Sequence, residues 1–304
     1  MADFSPLDGF AIEPLPETLR APIVLLAFTG WSDTGTVTTD AVDHIAAALG
    51  ARSFLSVDPE DYYVFTETRP TVHITEDGIR QLRWPENRGL YAAGSSPPLV
   101  LIRGVEPNLR WRTFGTRIAE TIAALDPFLV CSLVARPAPT PHTRPIPVTG
   151  SSADPRLAAR YGLGRSLYQG PTGILGVIHD LLRQRNVDLI SLAAGVPHYL
   201  NTDENPPATL ALVRALQPIL GFAIPEGDLP ARAELFLRRV EDASAGDDQI
   251  ETYVRTLEAQ YEDDEDDAAE GEDAFEAGQP ADELPSADDI LKDVEDFLRG
   301  TGDR

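Results

Sequence analysis

The chain has 304 residues, 42% of them apolar, and a formal charge of −24, enough for one large α/β domain with appendages or for two domains. The charge is lopsided: residues 241–304 hold 24 acidic and 4 basic side chains, which leaves 25 acids and 21 bases in the first 240 residues. An acidic tail repels nucleic-acid phosphates and anionic lipid, so neither is expected as a partner, and no run approaches the roughly 18 apolar residues of a membrane span.

The N-terminal MADFSPLDGF lacks the basic and apolar regions of a signal peptide. Five apolar runs follow at 22–28, 53–57, 98–104, 127–135 and 187–195. They are continuous rather than alternating, as strands buried on both faces are. Helical periodicity fills the intervals: Val37, Ala41, Ile45 and Ala48 share one face, as do Ile118, Ile122 and Leu125, then Leu175, Ile178, His179 and Leu182, then Leu212, Leu216 and Ile219. Alternating strands and helices predict a three-layer α/β/α fold around a mostly parallel sheet. The single cysteine, Cys131, lies inside the fourth run and reads as a core residue. With no disulfide possible within the chain, a reducing, cytoplasmic setting is expected.

From Pro225 the pattern changes. Segments 230–242 and 247–262 each read as a helix, the second with Ile250, Tyr253, Val254, Leu257 and Tyr261 on one stripe. The chain therefore divides into an α/β domain over 1–224, a helical hairpin over 225–262, an acidic disordered linker over 263–285 and an amphipathic helix over 286–300. In the last of these, Ser286 caps the start and Ile290, Leu291, Val294, Phe297 and Leu298 form an apolar stripe. A short amphipathic helix on an acidic tether docks either on its own body or on a protein partner.

Ligands of open α/β sheets bind past the carboxyl ends of the strands, and the chain's unusual segments fall there. GWSDTG follows the first run, PEDYYVFTETRP the second, RGVEPNLRW the third, PTPHTRP the fourth and GVPHY the fifth, while GPTGI opens a helix. Together with WPENR, TRPIPVTGSS and YQGPTGI, these segments resemble, in order over about residues 20–220, the PAC2 (proteasome assembly chaperone 2) family in its actinobacterial form. The resemblance implies a phosphorylase/hydrolase-like α/β/α fold and a homo-oligomer, trimeric in a related bacterial member. It further implies an interaction protein of the assembly-chaperone kind. The closing Thr301-Gly302-Asp303-Arg304 departs from the hydrophobic-Tyr-X tail such chaperones often carry.

Each candidate residue has a chemical and a structural reading. Gly170, Thr172 and Gly173 place backbone N–H groups at a helix start, which suits either an anion or a plain turn and cap. Asp33 is a general base or a helix cap, and Trp31 a lid or an interface residue. Glu60, Tyr62 and Arg69 after the second run, and Arg103, Glu106, Arg110 and Trp111 after the third, either recognise an anionic group or pair with one another within or between subunits. His142 and Arg144 after the fourth run and His198 and Tyr199 after the fifth either share a pocket for acid–base work or are satisfied structurally. The sequence carries no HExxH, paired cysteines, GxSxG elbow or Walker lysine, so neither metal nor cofactor is expected. A nucleoside-phosphorylase-like enzyme or binder, with Asp33, Arg103, Thr172 and His198 around one anion pocket, is the competing reading.

Overall fold

The computed structural model describes residues 8–75, 77–166, 168–200, 202–245 and 248–270, with side chains as far as 262. Its strands are β1 (Phe10–Ile12), β2 (Ile23–Thr29), β3 (Arg52–Val57), β4 (Thr71–Ile74), β5 (Arg80–Arg83), β6 (Asn87–Ala92), β7 (Leu99–Val105), β8 (Leu129–Ala138), β9 (Val148–Ser151) and β10 (Leu189–Pro197). The helices are α1 (Val37–Ala48), α2 (Trp111–Ala124), α3 (Pro155–Tyr161), α4 (Ile174–Arg183), α5 (Pro206–Leu220), α6 (Leu229–Ser244) and α7 (Asp248–Glu270). Eight strands form one sheet in the order β1-β3-β6-β7-β2-β8-β10-β9, and β4 pairs with β5 in a separate hairpin.

The five apolar runs become β2, β3, β7, β8 and β10, and all five point the same way. β2 is parallel to β7 and β8, β10 is parallel to β8, and β3 is turned into the same sense by β6, which is antiparallel to both β3 and β7. β1, β6 and β9 run against them.

Central β2 explains why its sequence does not alternate. Ile23, Leu25 and Ala27 face the layer of α1 and α5, whereas Val24, Leu26 and Phe28 face the layer of α2 and α4. Both faces are sealed from Ile23 to Phe28, so each of those positions is apolar. Truncating fully buried Leu25 or Leu26 to Ala would cost roughly 2–5 kcal/mol.

The α6–α7 pair is tied to this body at two levels. Leu229 and Ala233 of α6 join the core beneath α5. Val240 of α6 meets Ile250, Val254 and Leu257 of α7 in a small cluster of their own, closed by Tyr199 and Leu200 beyond β10. α7 continues through Glu270, into the acidic stretch. The rest of that stretch and the predicted helix 286–300 lie outside the described residues.

Candidate functional site

The carboxyl ends of β2 and β7 open on a cleft of about 490 Å³ lined by Thr29, Gly30, Glu67, Thr68, Val105, Glu106, Pro107, Asn108 and Trp111. Glu106 organises its floor. Its Oε2 accepts the Trp31 N–H at 3.0 Å and its Oε1 accepts the Ile174 N–H, also at 3.0 Å. The carboxylate thus stands at the positive N-terminal end of α4, where GPTGI invited an external anion. The glycines of the two motifs make room for it. A Cβ on Gly30 would meet Glu106 Oε2 at 2.8 Å, and one on Gly173 would meet Oε1 at 3.2 Å. Thr172 turns its hydroxyl to the Gly173 carbonyl, and Gly170 lies beside the Tyr168 ring. Trp31, fixed through its backbone, leaves its side chain 66% exposed.

Asp33 is buried and serves α1. Its Oδ1 accepts the Thr38 N–H at 2.6 Å and its Oδ2 the Thr39 hydroxyl at 2.7 Å. Burial raises its pKa above the usual carboxylate value, and the Thr39 and Thr38 hydrogen bonds pull it part of the way back.

Arg103 and Arg110 are engaged in ion pairs away from this floor. Arg103 reaches to α1 and pairs with Asp43 at 2.6 Å, with Arg88 on the same carboxylate at 2.9 Å. Arg110 pairs with Asp61 at 2.6 Å and lies over the ring of buried Tyr62, whose hydroxyl donates to the Asp8 carbonyl. Trp111 starts α2 and donates its indole N–H to Pro107. Glu60 belongs to the one-turn 3-10 helix after β3, its N–H held by Asp58. Arg69 is exposed and makes no ion pair among the described residues. Arg103, Asp33, Thr172 and His198 therefore do not share one anion pocket.

A second constellation lies past β8 and β10. Tyr199 accepts the His142 backbone N–H at 2.7 Å and shares a second hydrogen bond, also 2.7 Å, with the His142 Nδ1. Burial lowers the His142 pKa and keeps the ring neutral. His198 Nδ1 lies 3.0 Å from the Ala138 carbonyl, which only accepts, so Nε2 accepts the Tyr253 hydroxyl at 2.7 Å. Arg144 pairs with Glu258 at 3.0 Å and with Glu262 at 2.7 Å. The strand ends do bring His142, Arg144, His198 and Tyr199 together, and what they hold is α7.

The PAC2 family profile matches residues 27–244. The chain belongs to the PAC2 family. It is 38% identical to a PAC2 family protein of known structure from Streptomyces avermitilis, over 77% of this chain and 99% of that one, with a TM-score of 0.69. It is also 38% identical to a proteasome-assembly chaperone homologue from Mycobacterium tuberculosis, over 76% and 99% of the two chains, with a TM-score of 0.67. An archaeal proteasome activator from Pyrococcus furiosus, 19% identical over 76% and 98% with a TM-score of 0.58, shares the fold. No curated protein matches the chain.

Two polar residues of this PAC2 chain escaped sequence reasoning: Asn108 lines the cleft, and Asn87 lies behind Val105 of its wall. Asn87, buried at the start of β6, accepts the Val105 N–H at 3.0 Å and donates to the Tyr63 hydroxyl, which donates to the Val105 carbonyl at 2.6 Å. Asn108 accepts the Val64 N–H at 3.0 Å and the Thr68 hydroxyl at 2.9 Å. The signal available was the asparagine in WPENR, a polar residue just ahead of the Gly-Leu-Tyr-Ala run. Among the described residues no group of acidic, His or Cys side chains is arranged for a metal, and no helix is long and apolar enough to cross a membrane.

Proposed function

We propose that this PAC2 protein is a self-associating interaction protein of the assembly-chaperone kind, acting on proteasome-type subunits rather than turning over a small molecule. The observation that carries the reading is Trp31. Its side chain is 66% exposed while its backbone is pinned by Glu106, and exposed Leu109 and Tyr168 lie on loops at the same ends of the strands. A large aromatic held rigidly in solvent is costly for a free surface and typical of a protein-binding anchor. The polar groups that would serve a small anion there, the α4 N-terminus and Arg103, are consumed internally by Glu106 and by Asp43. Membership of a family whose Mycobacterium tuberculosis relative is a proteasome-assembly chaperone homologue supports the same direction. In this reading residues 1–224 form the body, 225–262 an arm, 263–285 a tether and 286–300 a helix that docks on a partner.

The test is native mass spectrometry of the full chain with purified proteasome α-type subunits. A complex is expected, and Trp31→Ala should weaken it by roughly 30-fold, the effect of losing an anchor worth about 2 kcal/mol, without moving the melting temperature. No complex would sink the reading. A thermal-shift screen with nucleosides, phosphate and carboxylates is the counter-test: stabilisation by several degrees would favour the small-molecule alternative.

A further inference from the structure

α7 is held by a stripe with a simple spacing. Ile250, Val254 and Leu257 are buried at positions i, i+4 and i+7, against Val240 of α6 and Tyr199 and Leu200 beyond β10. This cluster is separate from the two cores that flank the sheet. Around it the contacts are polar and near the surface. Tyr253 donates to His198 at 2.7 Å, Arg144 pairs with Glu258 and Glu262, and Tyr261 donates to the Pro145 carbonyl at 3.1 Å. A helix docked by one small cluster and a solvated rim belongs to the low-stability end of a structure, where local opening is frequent.

The chain carries the same stripe again. Forty residues on, Ile290, Val294 and Phe297 repeat Ile250, Val254 and Leu257 at identical spacing, and Asp288 repeats Asp248 two places before the first of them. The charge repeats as well: 248–262 holds four acids and one base, 286–300 holds five acids and two bases, a net −3 in each. What the second copy lacks is the rim. Asp293 stands where α7 has Tyr253, and Leu298 where it has Glu258, so the hydrogen bond to His198 and the Glu258 bridge to Arg144 have no equivalent in it. The groove therefore favours α7, and α7 is what occupies it. Reach is ample. About 45 residues separate the end of α6, beside the groove, from Ile290. A random chain of that length has an end-to-end distance of roughly 35–40 Å, which gives the segment the high effective concentration of a tethered ligand.

We infer that segment 286–300 is a second, weaker ligand of the α7 groove, and that it lays Ile290, Val294 and Phe297 in the places of Ile250, Val254 and Leu257 whenever α7 lifts off. The two occupants exclude each other, so whichever holds the groove leaves the other free. This goes beyond the reading above and requires no partner.

Hydrogen exchange of the full chain, read by mass spectrometry, tests it. In the wild type α7 should be protected and 286–300 should exchange freely. Leu257→Lys, which takes α7 out of the groove, should slow exchange across 286–300 by roughly tenfold or more at any protein concentration. Adding Phe297→Lys to that variant should abolish the protection, because it breaks the second stripe at the matching place. A synthetic 286–300 peptide in excess over the wild-type chain should speed exchange in α7, and the same peptide with Phe297→Lys should not. This arm uses the wild-type protein, so it stands even if a variant loosens the body, which unaltered exchange in β8 and β10 would exclude. Unchanged exchange of 286–300 in the Leu257→Lys variant, protection that survives Phe297→Lys, or protection that fades on dilution and so belongs to another molecule would each overturn the inference. So would a peptide that leaves α7 untouched. Proteasome subunits are absent from the measurement, so a failure to bind them refutes only the proposed function.

Discussion

Glu106 closes the N-terminus of α4 by accepting the Ile174 N–H at 3.0 Å, and the same carboxylate holds Trp31. One side chain therefore joins the loops after β2 and β7 to the start of α4. Glu106→Gln leaves one acceptor and turns an NH₂ group on the other amide. A loss of about 1–3 kcal/mol is expected, seen as a drop in melting temperature. Glu106→Ala empties the helix end altogether. Inorganic phosphate should then stabilise the variant and not the wild type, and equal stabilisation of both would mean that the carboxylate does not occupy the anion position.

Gly104 is required by Asn87. A Cβ at 104 would stand 1.6 Å from Asn87 Oδ1, so Gly104→Ala expels the side chain that satisfies the Val105 N–H and the Tyr63 hydroxyl. Each single variant, Gly104→Ala or Asn87→Ala, should cost about 2–4 kcal/mol in chemical denaturation. The double variant should cost clearly less than their sum, because the clash and the hydrogen bonds are one interaction counted twice. Strict additivity would contradict this.

Acid should weaken the fold through buried histidines. Burial drives the His179 pKa down from 6.5 to about 4, and its Nε2 is sealed from solvent without a partner. The folded pKa lies below the unfolded one, so between these values the unfolded chain binds more protons. Stability is complete above pH 6.5 and is lost as pH falls from 6.5 toward 4, by up to about 3 kcal/mol. His142 is shifted in the same direction. His179→Leu should flatten the stability–pH curve over that interval, and a curve parallel to the wild type would refute the assignment.

The hold on α7 has an electrostatic and an apolar part. Arg144 meets Glu258 and Glu262 near the surface, a pair of bridges that salt screens. Leu257 is buried beneath the helix. Arg144→Ala should speed amide exchange across α7 by up to roughly tenfold at low salt, with β8 and β10 unaffected. Leu257→Lys should release the helix at any ionic strength. If both variants exchange as the wild type does, the docking is not as described.

What the sequence could disclose was whatever depends on near neighbours. The five co-directional strands were legible because burial on both faces forces continuous apolar runs. Strands β1, β6 and β9 were not, since Phe-Ala-Ile is short, Asn-Arg-Gly-Leu-Tyr-Ala mixes polar and apolar residues, and Val-Thr-Gly-Ser sits half-buried at an edge. His142 and His198 fall around Tyr199 because both follow ends of adjacent strands. The anion-ready look of GPTGI came without its resident, because Glu106 lies 68 residues earlier. Likewise, nothing local says that Arg103 crosses to Asp43 of α1 or that Asn87 needs Gly104.

The strand order also dictates a schedule. β2 lies between β7 and β8, so Ile23–Thr29 has no partner in the main sheet until residue 99 emerges and is flanked on both sides only after residue 129. At translation rates of about 5–20 residues per second, the roughly 70 residues between β2 and β7 take about 4–14 s. For that time the six consecutive apolar residues of β2 lack both sheet neighbours, and such a stretch is an aggregation hazard. The surface beyond the ends of β2 and β7 can therefore form only once both neighbours of β2 have been made.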